Sequence, residues 1–104
     1  MELDQYRGSI LGLAVGDALG APLEFRTPGS FKPVTGMTPG GAFGLQAGQW
    51  TDDTSLALCL SESLIETRRF DLVDQLDRYV LWYRHGHLSS TEECFDIGNT
   101  TSGA

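Results

Sequence analysis

Apolar and polar positions recur with a helical period over three stretches of this chain. Between Asp4 and Leu19, the residues Tyr6, Ile10, Leu13 and Asp17 follow one another at intervals of four, three and four. That spacing marks one face of a helix, and Asp4 is placed to cap it. A second helix is expected from Trp50 onward, where Thr51, Asp52 and Asp53 precede a run containing Leu56, Leu60 and Leu64. A third is signalled by Asp71 as cap, with Asp74 behind it and then Leu72, Leu76, Tyr79 and Tyr83 in helical register, and Gly86 ends it. After a polar stretch from Leu88 to Glu93, Asp96 is positioned to cap a last helix beginning at Ile97. Each of these signals is for a helix.

Between the first two helices the pattern breaks. Residues 21–49 contain all four prolines and six of the thirteen glycines, which excludes a continued helix or a central strand. A loop of that length inside a domain is usually functional or disordered, and Phe25, Phe31 and Phe43 favour an ordered one. In the first helix Gly8, Gly12, Gly16 and Gly20 recur every fourth residue. Each interior glycine costs about 1 kcal/mol relative to alanine, so the ridge is expected to admit a close neighbour.

Composition narrows the functional classes. Seven Lys and Arg against fourteen Asp and Glu give a net charge of −7, without the basic patch that phosphate neutralisation requires. Nucleic acid and anionic membrane surfaces are therefore not the expected partners. The apolar run from Ile10 to Leu23 is interrupted by Asp17 and falls short of the roughly 20 residues that span a bilayer. An acidic start and two cysteines fit a cytoplasmic protein with reduced thiols. Cys59 and Cys94 read as small apolar fillers, and His85 and His87 as a solvated turn.

The densest candidate chemistry is Thr51-Asp52-Asp53-Thr54, two carboxylates and two hydroxyls in one turn. Hard oxygen donors of this kind suit Mg²⁺, Mn²⁺ or Ca²⁺. Capping and the helix dipole favour the same residues at a helix start, although a cap needs one side chain and not two. Asp17 lies on an apolar face, where a carboxylate must be paired, hydrogen-bonded or cation-bound. Glu24 follows the Gly20-Ala21-Pro22 corner between Leu23 and Phe25, a position suited to a rigid general base and equally open to a solvated acid.

Three segments in order resemble the ADP-ribosylglycohydrolase family: Gly12-Leu13-Ala14-Val15-Gly16-Asp17-Ala18-Leu19-Gly20-Ala21-Pro22-Leu23-Glu24-Phe25, Gly48-Gln49-Trp50-Thr51-Asp52-Asp53-Thr54, and Cys94-Phe95-Asp96-Ile97-Gly98-Asn99-Thr100-Thr101. The resemblance extends over residues 1–104 as a single segment and implies the N-terminal part of an all-α helical fold with a long Gly/Pro-rich loop. It implies hydrolysis of the bond between ADP-ribose and a protein side chain or related acceptor, at a centre of two Mg²⁺ or Mn²⁺ ions. By position, Thr51, Asp52 and Asp53 match metal ligands, and Glu24 and Asp96 match catalytic acids. Asp96, Gly98 and Asn99 match substrate-binding positions, and Asp17 a structural support.

Two departures stand beside the match. The family's second metal segment, Asp-x-Asp-Thr, does not occur in these residues, and Glu92 stands where glycine is expected after Ser90-Thr91. The chain is therefore expected to supply the N-terminal half of a site completed by a C-terminal half in the same or a companion chain. The alternative is a truncated remnant or binding module that keeps the helical scaffold without catalysis.

Overall fold

Four α-helices and one 3-10 turn carry the regular structure of the computed structural model, which describes residues 2–104. They are α1 (Leu3–Gly20), the 3-10 turn (Ala21–Leu23), α2 (Asp52–Thr67), α3 (Leu72–His85) and α4 (Asn99–Gly103). The chain is all-α, as the resemblance implies, and it divides into two compact units, Met1–Trp50 and Thr51–Ala104. No helix among the described residues is long and apolar enough to cross a membrane.

In the first unit α1 begins earlier than Asp4 predicts. Glu2 is the N-cap residue, its backbone N–H donating to Gln5 Oε1 at 2.8 Å, and Asp4 sits in the first turn beside Arg7. The expected stripe is turned outward: Tyr6 and Ile10 are exposed, Asp17 is half-buried, and Ala18 is the buried residue of the helix. The glycine ridge has no close neighbour among the described residues, since an added Cβ at Gly8, Gly12, Gly16 or Gly20 would meet nothing within 4 Å.

The long segment that follows is held by a few specific contacts. An isolated antiparallel bridge joins Gly40 to Leu45, which is buried. At Gly41 the backbone has φ +82°, and a Cβ there would lie 2.6 Å from Pro22 Cα, so only glycine lets this turn close on the Pro22 corner. Phe25 and Phe43 meet edge to face with centroids 6.2 Å apart, a favourable aromatic geometry.

In the second unit α2 packs on α3, and the packed face differs from the expected one. On α2 the buried stripe is Ser55, Cys59 and Ser63, with Thr54, while Leu64 is exposed. On α3 the buried residues are Gln75 and Trp82, while Leu72, Leu76 and Tyr83 are more than half exposed. The reason is size: small side chains at every fourth position of α2 allow α3 to approach closely. Cys59 fills that interface, fully buried, with its thiol directed to the Arg78 carbonyl at 3.6 Å and pushed up to about 11, mainly by burial. It is a packing residue, as expected.

Both ends of α3 follow the sequence signals. Asp71 accepts from the Asp74 N–H at 3.0 Å, and Gly86 closes the helix at φ +71° with its N–H on the Trp82 carbonyl. A Cβ at Gly86 would lie 2.0 Å from the Glu92 carbonyl oxygen. Gly86→Ala therefore meets both left-handed strain, about 1–2 kcal/mol on its own, and a backbone collision. Its unfolding midpoint in urea is expected to fall by more than that strain alone accounts for, whereas Gly103→Ala, with open space and ordinary φ, should change little.

The last helix corrects an expectation. Asp96 does not cap a helix from Ile97; it has φ +58°, and α4 starts at Asn99 with Gly98 as N-cap residue. A left-handed residue turns the chain before the helix begins, so the carboxylate is freed from capping.

Candidate active site

Thr51 ends an extended segment at φ −109° and starts α2, and it is almost fully buried. Its side chain makes no N-cap hydrogen bond to the helix. Instead Thr51 Oγ1 donates to Asp52 Oδ1 at 3.3 Å. The Thr51 backbone carbonyl accepts from the Ser55 N–H at 3.3 Å, which starts the helix ladder. Asp52 is half-buried and Asp53 exposed, both in the first turn, where the positive end of the helix dipole favours carboxylates.

Burial pushes the Asp52 carboxyl above its ordinary range, and the charges of Asp53 and Asp96 push it further the same way. The Thr51 hydroxyl and the Asp53 backbone N–H act in the opposite direction. The thiol of Cys94 is raised first by burial and then by Asp52. Residues more than forty positions apart thus share one electrostatic environment: Asp52 and Asp53 on α2, Cys94 and Asp96 on the loop before α4. Asp96 is half-buried, and Gly98 and Asn99 follow it on the surface at the start of α4.

That loop is fastened to the helix pair by residues the sequence did not single out. Ser55 Oγ donates to the Leu88 carbonyl at 3.0 Å, and His87 Nε2 lies 2.8 Å from Glu62 Oε1. Glu62 also pairs with Arg78, whose Nε donates to Asp74 Oδ2 at 2.7 Å. The expected solvated turn holds for His85, which is exposed, and is corrected for His87, which is half-buried against Glu62. Of these links only Asp74 and Arg78, four apart on one helix, could have been found by spacing. Glu92 has φ +67°, which explains why glycine would suit that position.

In the first unit Glu24 leaves the 3-10 turn half-buried, its N–H on the Ala21 carbonyl at 3.2 Å, and the next residue, Phe25, is left-handed at φ +68° and exposed. The corner expected at Gly20-Ala21-Pro22 is thus a tight turn that fixes the backbone of Glu24. Asp17 is half-buried on α1.

As a donor set, a hydroxyl and crowded carboxylates fit a hard divalent cation in kind, since a cation offsets the mutual repulsion that raises Asp52. In number they fall short of a complete shell. Among the described residues no group of three or more His, Cys, Asp and Glu is arranged to hold a metal ion.

A family model described as ADP-ribosylglycohydrolase matches residues 1–104. The ADP-ribosylarginine hydrolase Tri1 of Serratia proteamaculans is 53% identical over 98% of this chain and 28% of its own length. The ADP-ribosyl-[dinitrogen reductase] glycohydrolase of Rhodospirillum rubrum is 41% identical over 93% of this chain and 32% of its own. A solved structure described as an ADP-ribosylglycohydrolase-related protein complex superposes with a TM-score of 0.76 at 56% identity, over 81% of this chain and 29% of that one. This chain therefore spans about a third or less of the length of the relatives it matches. Fold, motif order and these matches agree: the chain belongs to the ADP-ribosylglycohydrolase family.

Proposed function

We propose that these residues form the N-terminal part of a metal-dependent site that hydrolyses the bond joining ADP-ribose to a protein side chain. The observation that supports it most is the crowding of Asp53 and Asp96 on the half-buried Asp52, whose carboxylate accepts from the buried Thr51 hydroxyl. Arginine is the proposed acceptor, supported by the printed names of two relatives at 53% and 49% identity, from Serratia proteamaculans and Pseudomonas putida.

Thr51, Asp52 and Asp53 would hold Mg²⁺ or Mn²⁺, with the remaining ligands supplied by further sequence in the same or a companion chain. A bound divalent pair supplies positive charge that orients ribose hydroxyls and makes a water more acidic. Asp96 accepts a hydrogen bond from a ribose hydroxyl, and Gly98 and Asn99 border the sugar. Glu24, fixed at the end of its turn, takes the proton of the attacking water as general base. Asp17 supports the α1 end from which that turn departs. Two free cysteines accord with a cytoplasmic location.

The test is release of free ADP-ribose from an ADP-ribosylated arginine substrate by the full-length polypeptide, with Mn²⁺ or Mg²⁺ and again with excess chelator. Metal-dependent release is expected. Binding of ADP-ribose without turnover under either condition would favour the alternative, an interaction module on the same scaffold.

A further inference from the structure

Between Gly86 and Asp96 the chain has no helix and no strand pairing, so its course rests on side-chain contacts together with turn hydrogen bonds from the His87 and Ser89 N–H groups. Two of these reach α2: the Ser55 hydroxyl on the Leu88 carbonyl, and Glu62 on His87. Ser55 and Glu62 are seven residues apart, two helical turns, and so lie on one face of α2 roughly 10 Å from each other. Internally, the Glu93 carbonyl accepts from the Ser89 and Thr91 hydroxyls, and the Glu92 backbone closes on Gly86. The loop is thereby laid along the helix whose first turn carries Asp52 and Asp53, and it ends on Asp96.

The geometry points to His87 and Glu62 as positioning residues, which hold the 87–96 loop on α2 so that Asp96 stays beside the Asp52–Asp53 turn. This rests on the proposed reading of those three acids as the cation and ribose site. Glu62 is shared between His87 and Arg78, and Arg78 is fixed in turn by Asp74. The acceptor therefore does not swing freely; α3 holds it in place for His87. The hydrogen bond from His87 is also the largest influence keeping the Glu62 carboxyl below its ordinary range, with Arg78 adding to it. A loop tether that only stabilised α2 against α3 would gain nothing from His87, since Glu62 and Arg78 already join the two helices.

The test uses the full-length polypeptide, isotope-labelled, with Mn²⁺ as the probe. In the wild-type protein Mn²⁺ is expected to broaden amide resonances of residues 51–54 and 95–99 together. In His87→Ala, broadening at 51–54 should persist while that at 95–99 falls, and amide exchange over 88–96 should quicken about tenfold, the scale of one lost charged hydrogen bond. His87→Gln, whose side chain can still donate to Glu62, should restore both. Unchanged broadening at 95–99 in His87→Ala overturns the positioning role. If wild-type residues 51–54 show no broadening, the cation reading fails, and the positioning role fails with it. The two failures are separable, because the second shows before any substitution is made.

Discussion

Replacing Asp52 by Asn should remove metal-dependent release of ADP-ribose while making the folded chain more stable at neutral pH. Loss of an outer partner of a metal ligand typically costs 10–100-fold, so loss of a ligand itself should cost more than about 100-fold in turnover. The gain in stability follows from the direction in which Asp52 is shifted. Burial and the neighbouring charges of Asp53 and Asp96 raise its folded-state value above the ordinary 3.8. The folded state then binds the proton more readily than the unfolded state, and above the ordinary value the ionised carboxylate weakens the fold. That cost disappears as the pH falls below the ordinary value, where both states are protonated. Asn carries no charge and so escapes the cost at pH 7. Thermal melts should show Asp52→Asn above wild type at neutral pH, with the difference shrinking on acidification. A purely structural aspartate would show the opposite order at pH 7, as Asp71 and Asp74 should, because hydrogen bonds hold their carboxyls below the ordinary range. Asp53→Asn should abolish turnover as well, with a smaller rise in stability, since Asp53 is exposed and acts on Asp52 from outside.

This combination, lower activity with higher stability, is what a site assembled for a ligand should show when its charges are removed. Mutual repulsion among Asp52, Asp53 and Asp96 costs the fold, and a hard cation bound there would offset it.

What could be read in the sequence was what is decided locally. Asp71 and Gly86 marked the ends of α3 because a cap bond spans three residues and a left-handed closure needs glycine. The start of α2 at Thr51 and Asp52 was legible for the same reason, and so was the break between residues 21 and 49. Which face each helix buries was not legible. Leu56, Leu60 and Leu64 have the stronger hydrophobic pattern, yet Ser55, Cys59 and Ser63 are buried, because the choice belongs to the partner helix and its Trp82. The tie from His87 to Glu62 crosses 25 positions and has no local signature. Asp96 looked like a cap because its neighbours resemble a helix start; only its φ of +58° shows that the chain turns there first. Motif order singles out Asp52, Asp53 and Asp96 as candidates, whereas their shared electrostatics depends on the fold of the loop before α4.

The largest expected loss of stability is at Trp82. It is 1% exposed, the largest of the fully buried side chains, and it lies on the helix that packs against α2. Trp→Ala at such a position leaves a cavity that rigid neighbours fill only in part, at about 3–5 kcal/mol. A single domain has only about 5–15 kcal/mol to lose, so Trp82→Ala should unfold at a much lower urea concentration or fail to fold. Trp82→Phe, which keeps most of the volume, should retain a cooperative transition and so supply a measurable value if the alanine variant does not. Tyr83 provides the control on the same helix: it is 53% exposed, and Tyr83→Ala should shift the midpoint only slightly. A hydrophobic ranking by residue type alone places Tyr83 and Leu76 in the core beside Trp82. If burial against the small-residue stripe of α2 is what holds this unit together, the loss at Trp82 should exceed that at Leu76 and Tyr83 combined. Comparable losses at all three would mean that the outward stripe of α3 is buried in solution and that the α2–α3 interface is not the core.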